Sequence, residues 1–428
     1  MTTKKPVLKY LIFSIICLIV ILFVVFAYPK TPKLTGESQF YKYLDSQIPL
    51  LMKKYDVKGA SVVVIHNSRV EYIKGFGYAD AEGKVPITGN TLFQAASISK
   101  TLTAWGVMNL VEDRLIDLDA PVSRYLSRWQ LPPSKFNLDE VTIRRMLSHS
   151  SGIANVGGYA GVESLSEVQS LEQSLTSPVD ADNKGVRVIY EPGSKYVYSG
   201  GAYTLLQLVI EEVTGQSFED YMKSAILQPL GMSESGYELT PSSDYNVAVV
   251  YNKNGELSKP RYFAAKAAAG LYTSSSDLAS LALAMMLTGD DSQSNAVLSE
   301  ATLREMYEPQ SGLPRLMPYG LGYMLQLLPS SGLSEVSHTG SNQPGWNSVI
   351  ATLPEKGEGL VILTNSPGGL QLRQTLEGNW LYWATGEVSI AYRLNKLVNA
   401  LILMVPVWLI GILLMSLVQK IIKKTSRI

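Results

Sequence analysis

The sequence predicts a mixed α/β (α+β) body in which one sheet is interrupted by a helical subdomain. Strand-length apolar runs gather at both ends of the central region, while helix or loop signals dominate from Ser97 to about Leu287. The chain is also long enough, at 428 residues with 46% hydrophobic content, to bury a large core.

The elements follow in order. A helix-like stretch, Gln39 to Tyr55, leads into an apolar run Ala60 to His66, a turn at Asn67-Ser68-Arg69 and a second run Val70 to Tyr78, which together read as a β-hairpin. Gly75-Phe76-Gly77 lacks the third glycine of a nucleotide loop, and no helix follows it, so it reads as strand. Ile98, Leu102, Trp105 and Met108 recur at steps of four and three, which predicts a helix from Ser97 to Leu115. The polar stretch Gly161 to Gly185 reads as a surface insertion, in which Leu165, Val168, Leu171 and Leu175 fit a solvated helix better than a lid. A helix after Gly200 runs to Thr214 and ends at Gly215, the usual C′ residue. Strand-like runs return at Tyr319 to Leu328, Glu335 to His338, Trp346 to Leu353 and Gly359 to Thr364, and a last body helix covers Gly369 to Thr385.

Both ends of the chain point to a membrane. Leu11 to Tyr28 carries no charge over eighteen residues and follows three lysines, which fits a signal anchor or a signal peptide within residues 1–28. Leu397 to Gln419 is uncharged over twenty-three residues and precedes a basic tail, 420–428, so it reads as a spanning helix. Basic flanks at both outer ends put both termini in the cytoplasm and the body, residues 29–396, outside the cell membrane. The termini hold seven of the 37 basic residues and none of the 37 acidic ones, leaving the body net −7 and without the electrostatic footprint of a nucleic-acid binder. The single cysteine, Cys17, excludes an internal disulfide, and three histidines without an H-E-x-x-H spacing argue against a metal site. No cofactor is expected.

Three local constellations carry chemistry. In Ser97-Ile98-Ser99-Lys100 a serine and a lysine lie three apart at the start of a helix, on one face, where an amine that burial keeps neutral can accept the hydroxyl proton. Helix N-terminal N–H groups also suit a developing oxyanion. In Glu191-Pro192-Gly193-Ser194-Lys195-Tyr196-Val197-Tyr198-Ser199-Gly200 a Pro-Gly turn feeds an extended piece that delivers Tyr198 to the start of a helix; a nearby lysine would make that tyrosine a usable acid or base. In Ser337-His338-Thr339-Gly340-Ser341-Asn342 a strand edge of small residues can present the Ser341 N–H to a substrate oxygen. His66 and His149 are read as structural, one at a strand end and one in a framework loop.

In this order the three pieces resemble the serine β-lactamase and penicillin-binding family, in its class C-like branch with D-alanyl-D-alanine carboxypeptidases, esterases and D-amino-acid peptidases. The resemblance runs from about Gln39 to Thr385 and extends to Leu147-Ser148-His149-Ser150-Ser151-Gly152, Pro229-Leu230-Gly231-Met232 and Ala269-Gly270-Leu271-Tyr272. It implies a β-lactamase-like antiparallel sheet flanked by helices, with an inserted, mostly helical subdomain. It further implies Ser97 as the acylated nucleophile, Lys100 as its activator and Tyr198 as the proton shuttle, with His338, Gly340, Ser341 and Asn342 around the substrate and its oxyanion. The substrate class implied is a small peptide, amide or ester, including peptidoglycan stem peptides.

Two positions depart from the family pattern. Gly200 stands where the second motif commonly has asparagine, and His338 stands where the third often has lysine. A lysine would give a substrate carboxylate a permanent charge, whereas histidine is charged only part of the time near neutrality. The departures turn expectation from efficient β-lactam hydrolysis toward a peptidase for D-amino-acid-containing peptides, D,D-carboxypeptidase-like or prodrug-activating, with an esterase or weak β-lactamase, and a non-catalytic penicillin- or peptidoglycan-binding protein, as the alternatives.

Overall fold

The computed structural model describes residues 4–26, 36–153, 161–179, 184–238, 246–287, 297–313, 317–328, 331–332, 334–388 and 390–425. Ala27 and Tyr28 of the first apolar run, residues 180–183 of the expected insertion and Arg427 of the basic tail lie outside the described residues. The chain divides into two compact units, Leu34–Trp380 and the terminal pair Met1–Lys33 with Leu381–Ile428.

The larger unit is built on β1 (Gly59–His66), β2 (Arg69–Asp80), β3 (Val85–Pro86), β4 (Phe93–Gln94), β5 (Val250–Tyr251), β6 (Leu257–Ser258), β7 (Tyr272–Thr273), β8 (Ser311–Leu313), β9 (Met317–Tyr319), β10 (Met324–Leu327), β11 (Ser334–Asn342), β12 (Trp346–Leu353) and β13 (Glu358–Thr364). Among the described residues nine of these form one antiparallel sheet in the order β3-β2-β1-β13-β12-β11-β10-β9-β8. The N-terminal hairpin thus pairs with the last strand, Ala60 opposite Thr364, so both ends of the body share one sheet. The expected hairpin is found with its turn at Asn67 and Ser68, both in the left-handed region. The run Tyr319 to Leu328 is not one strand. Gly320 and Gly322 turn the chain, with Gly322 at φ 86°, so β9 ends at Tyr319 and β10 begins at Met324.

Every residue of β12 and β13 is buried, as expected of strands covered on both faces. One face carries Val63, Ile65, Val361, Leu363 and Ile350 into the main core with the helical subdomain. The alternate residues, Val62, Val64, Leu360 and Ile362, are equally buried on the opposite face. There α2 (Glu37–Tyr55) buries Phe40, Leu44, Ile48 and Met52, and Asn379 donates to Tyr43 Oη at 3.1 Å.

The helical subdomain comprises α3 (Ile98–Glu112), α4 (Ile143–Leu147), α5 (Leu171–Thr176), α6 (Gly200–Thr214), α7 (Phe218–Tyr221), α8 (Lys266–Ala269), α9 (Ser275–Ala284) and α10 (Glu300–Met306), and α11 (Gly369–Thr385) follows the last strand at the expected bounds. The expected insertion holds α5, begun by a capping box between Ser170 and Gln173. Its Leu175 is fully buried, so this helix is a packed element. Within the subdomain α3 is buried almost all round, with every residue from Ile98 to Met108 out of solvent.

The smaller unit pairs α1 (Lys4–Phe26) with α12 (Ile390–Thr425). Trp408 Nε1 donates to Ser14 Oγ at 2.9 Å, and Gly411 leaves room for the ring of Phe13, which a methyl group there would strike. Within the second helix Lys396–Ile422 is long and apolar enough to cross a membrane, with mean hydropathy 2.7, while Leu8–Val24 is apolar but shorter.

Candidate active site

Ser97 sits at the turn into α3, and the backbone before it is bent to expose it. Ala96 adopts φ 52°, an uncommon conformation for a residue with a side chain. From Thr91 to Met108 Ser97 alone escapes full burial. Phe93 and Gln94 before it are pinned by their pairing with Thr273 and Tyr272 of β7. One turn on, the Lys100 side chain is fully buried, with Nζ 3.4 Å from Ser97 Oγ and donating to the Ala268 carbonyl at 2.7 Å.

That carbonyl belongs to a strap of small residues, α8 and the Gly270-Leu271 that follow. Hydrogen bonds fasten it to the entry and first turns of α3: Thr103 Oγ1 to Ala267 O at 2.9 Å, Lys100 Nζ to Ala268 O, Leu271 N–H to Ser99 Oγ at 3.0 Å and Ala95 N–H to Leu271 O at 2.9 Å. Burial pushes the Lys100 amine from 10.5 down to about 7. At neutral pH the amine is therefore unprotonated in a large share of molecules and able to accept a proton.

Tyr198 arrives from the other side. Gly193, at φ 81°, completes the Pro-Gly turn, and its N–H donates to Ser150 O at 2.7 Å. The two residues flanking Tyr198 are both held by His149: Val197 N–H donates to the His149 carbonyl at 2.8 Å, and Ser199 N–H to His149 Nδ1 at 3.1 Å. Ser199 Oγ in turn caps α6 by accepting from Ala202 N–H. The His149 ring lies 4.3 Å from that of Tyr198, centroid to centroid, and Lys100 Nζ lies 5.0 Å from the Tyr198 ring centre. Ser97, Lys100 and Tyr198 are thus brought together.

The third constellation lies on β11, against the entry to α3. A Cβ at Gly340 would collide with the Ala95 carbonyl oxygen and with Ser348 Oγ, which itself donates to that carbonyl at 2.8 Å. The glycine lets the strand approach the nucleophile's backbone. Asn342 Nδ2 donates to Ala269 O at 3.3 Å, joining strand to strap, while the Ser341 hydroxyl turns to Asn347 Oδ1 at 2.9 Å.

His338 lies within the cluster but is engaged by the protein itself. Its Nδ1 donates to the Thr339 carbonyl at 2.8 Å, which leaves Nε2 as an acceptor for Tyr319 Oη at 3.0 Å. Burial first, then the Lys100 and Arg373 cations, push its pKa down to about 3. Where the sequence suggests a partly charged histidine, the structure has a neutral one, because a group this dry beside a lysine has no means of holding a proton.

His149, read from sequence as a loop residue, is the main functional candidate missed. It is fully buried at φ 57°, its rings of contact are Tyr196, Tyr198, Tyr203 and Tyr319, and burial holds its pKa well below 6.5. Its one sequence signal was membership of the Leu147–Gly152 motif. Tyr319 carried no signal, because its partner is nineteen residues away. Among the described residues no group of His, Cys, Asp or Glu is arranged to hold a metal ion.

Replacing His149 by alanine removes the acceptor for Ser199 N–H and the ring against Tyr198. The expected outcome is a folded protein whose steady-state turnover of an activated ester falls ~10- to 100-fold, less than the roughly 10²–10⁴-fold of losing a proton-transfer group outright, because Tyr198 is displaced and not removed. Retained labelling of Ser97 by a phosphonate distinguishes a displaced Tyr198 from collapse of the site. An unchanged rate would remove His149 from the site.

A family model described as Beta-lactamase matches residues 44–381. Penicillin-binding protein 4* of Bacillus subtilis (strain 168) is 27% identical over 352 residues, covering 78% of this chain and 74% of that protein. Protein flp of Staphylococcus aureus (strain COL) is 28% identical over 343 residues, 78% of this chain but 64% of that protein, so the chain spans less than two thirds of that relative. Among solved structures, the octameric penicillin-binding protein homologue from Pyrococcus abyssi superposes with a TM-score of 0.67 at 30% identity, over 81% of this chain and 78% of that one. A class C beta-lactamase superposes with a TM-score of 0.66 at 23% identity, over 83% and 98%, a likeness of fold.

Proposed function

The chain belongs to the beta-lactamase family, and on that premise we propose that it is a membrane-anchored serine hydrolase that forms an acyl-enzyme on an amide or ester, acting as a peptidase on D-amino-acid-containing peptides. The observation that carries this reading is the buried Lys100 amine, lowered to about 7 and 3.4 Å from the partly exposed Ser97 hydroxyl.

In the proposed reaction Lys100 Nζ takes the Ser97 proton as Oγ bonds to the substrate carbonyl carbon, and the carbonyl electron pair moves onto oxygen. The backbone N–H groups of Ser97 and Ser341 receive that oxyanion. Its collapse breaks the bond to the amine or alcohol, which leaves with a proton passed through Tyr198 Oη. Water then attacks the acyl-enzyme, and the same groups run the proton transfers in reverse order. Gly340 and Asn342 serve this by holding β11 against Ala95 and the strap. Ser97→Ala is expected to abolish labelling by a serine-reactive phosphonate. In the wild type, kcat/KM for an ester should fall about tenfold per pH unit below about 7, as Lys100 gains its proton, and level off above. Labelling of Ser97→Ala at the wild-type level would sink the reading.

The neutral His338, with both ring nitrogens engaged, supports a substrate whose leaving group needs no carboxylate partner at this position. A peptide ending in D-Ala-D-Ala and its C-terminal amide should therefore be cleaved with kcat/KM values within a few-fold of each other, and a chromogenic cephalosporin slowly. A hundredfold preference for the free acid would overturn this part.

The length and hydropathy of Lys396–Ile422, and the close fit of Gly411 to Phe13, support two helices that anchor an extracytoplasmic body (29–396) with both termini cytoplasmic. The N-terminal helix is then retained rather than cleaved. Intact mass of the protein purified from membranes should include residues 1–28, and a mass lacking them would make that segment a signal peptide.

A further inference from the structure

A cavity of about 380 Å³ opens where the helical subdomain meets the β8 edge of the sheet. We propose that it is an anion site that binds a phosphate-bearing group. The proposal does not depend on the hydrolase reading. None of Ser97, Lys100, Tyr198 and Ser341 lines this cavity, and the Tyr196 and His149 rings, 5.9 Å apart, stand between it and Tyr198.

Three segments close around it: Arg144 to Ser150, Gly193 to Tyr196, and Gln310 to Gly312. Besides the Gly193 bond to Ser150, Ser311 Oγ donates to the Ser148 carbonyl and Gln310 N–H to the Tyr319 carbonyl at 2.9 Å. The hydroxyls on the wall are spent on the protein. Ser148 Oγ donates to Arg144 O at 2.9 Å, so it accepts from Ser150 Oγ at 3.1 Å, and Ser194 Oγ donates to Glu191 O at 2.6 Å. The serines therefore form an ordered wall, and the donors left over are charged.

Arg144 is fully engaged, with Nε and Nη2 on Asp119 at 2.7 and 2.9 Å and Nη1 on Glu305 at 3.0 Å. Arg145 is half engaged. Its Nη1 holds the Glu140 carbonyl at 2.7 Å and the Glu140 carboxylate, while among the described residues Nε and Nη2 make no hydrogen bond. Gly193 packs on this guanidinium, so closely that a Cβ there would lie 3.2 Å from its Cζ. Lys195 has no carboxylate partner among the described residues. Its Nζ sits 3.3 Å from the Tyr190 ring centre, a contact that places the ammonium without neutralising it. No acidic side chain is found in the lining among the described residues.

These leftovers select the ligand. The second edge of a guanidinium offers two N–H groups in a fixed fork, and the ammonium adds a point charge from the facing turn. A carboxylate has one charge and two oxygens, enough for Arg145 alone. A phosphate ester brings up to about two charges and three oxygens, which engage Arg145 and Lys195 together, with the Gln310 amide beside them. The cavity is several times the ~30 Å³ of one water, which leaves room for the alcohol that the phosphate esterifies.

The test is calorimetric binding to the intact protein in detergent at constant ionic strength, with glycerol 3-phosphate, inorganic phosphate, acetate and glutarate. Glycerol 3-phosphate is expected to saturate, and both carboxylates to bind roughly tenfold more weakly or worse. Lys195→Met, at an exposed position, and Arg145→Gln should each weaken the phosphate ester roughly tenfold or more, the loss of a charged hydrogen bond. Ser97→Ala should bind it as the wild type does. If Arg145→Gln fails to fold for want of its Glu140 pair, Lys195→Met decides alone. Bicelles containing phosphatidylglycerol form a second arm: saturation there only, weakened by the same variants, supports the site with a lipid headgroup as its ligand, and saturation in water supports it with a soluble ester. No saturation in either arm overturns the proposal, as does equal binding of the carboxylates. Binding that Lys195→Met leaves unchanged puts the anion elsewhere and overturns it too.

Discussion

The lysine amine enclosed in the middle of the helical subdomain is the constraint around which this site is organised. Holding Lys100 near 7 instead of 10.5 costs ~4 kcal/mol at neutral pH, a large part of a domain's net stability. The sign is clear: the unfolded chain binds this proton up to pH 10.5 and the folded chain releases it near 7, so the penalty is greatest below 7 and fades as pH rises to 10.5. Such a group persists only where its surroundings are fixed by other forces. Here those are the fully buried faces of α3, the short bonds of the strap and the two-sided burial of β12 and β13, none of which involves the amine's charge.

The same dryness settles the state of the two neighbouring histidines. His149 packs against Tyr196, Tyr198, Tyr203 and Tyr319, and His338 against Tyr198 and Tyr319, and each histidine also feels the Lys100 amine. Neutral, each ring has one donor and one acceptor, and the two use them differently. His338 satisfies both within the protein and so fixes Tyr319 against β11. His149 accepts from the backbone on one side of Tyr198 and offers its ring face to the tyrosine itself. Lysine in the family's third motif would add a second cation near Lys100 and lower its pKa further. The histidine avoids that repulsion, at the loss of a carboxylate-binding charge.

How much of this could be read from the chain follows from the range of each interaction. The Ser97-x-x-Lys100 spacing is local, and helix geometry alone puts both on one face. The hairpin, β12, β13 and α11 were legible to within a residue or two because their patterns are short-range and strong. What sequence could not supply was contact between distant segments. The role of His149 rests on bonds to residues about fifty positions on, and that of Ala268 on a lysine 168 residues before it; neither leaves a mark in the periodicity. The break in the run Tyr319 to Leu328 was missed for another reason, because Gly320 and Gly322 sit inside an apolar stretch that outweighs them until Gly322 is seen at positive φ.

The strap also joins the base to β11. Ala267, Ala268 and Ala269 are buried, and their carbonyls accept in turn from Thr103 and Lys100 of α3 and from Asn342 of β11, so one short stretch of backbone fixes both the base and the strand. Larger side chains here would push either the lysine or the strand. A Cβ at Gly340 on β11 already meets the Ala95 carbonyl, and little slack is left on that side.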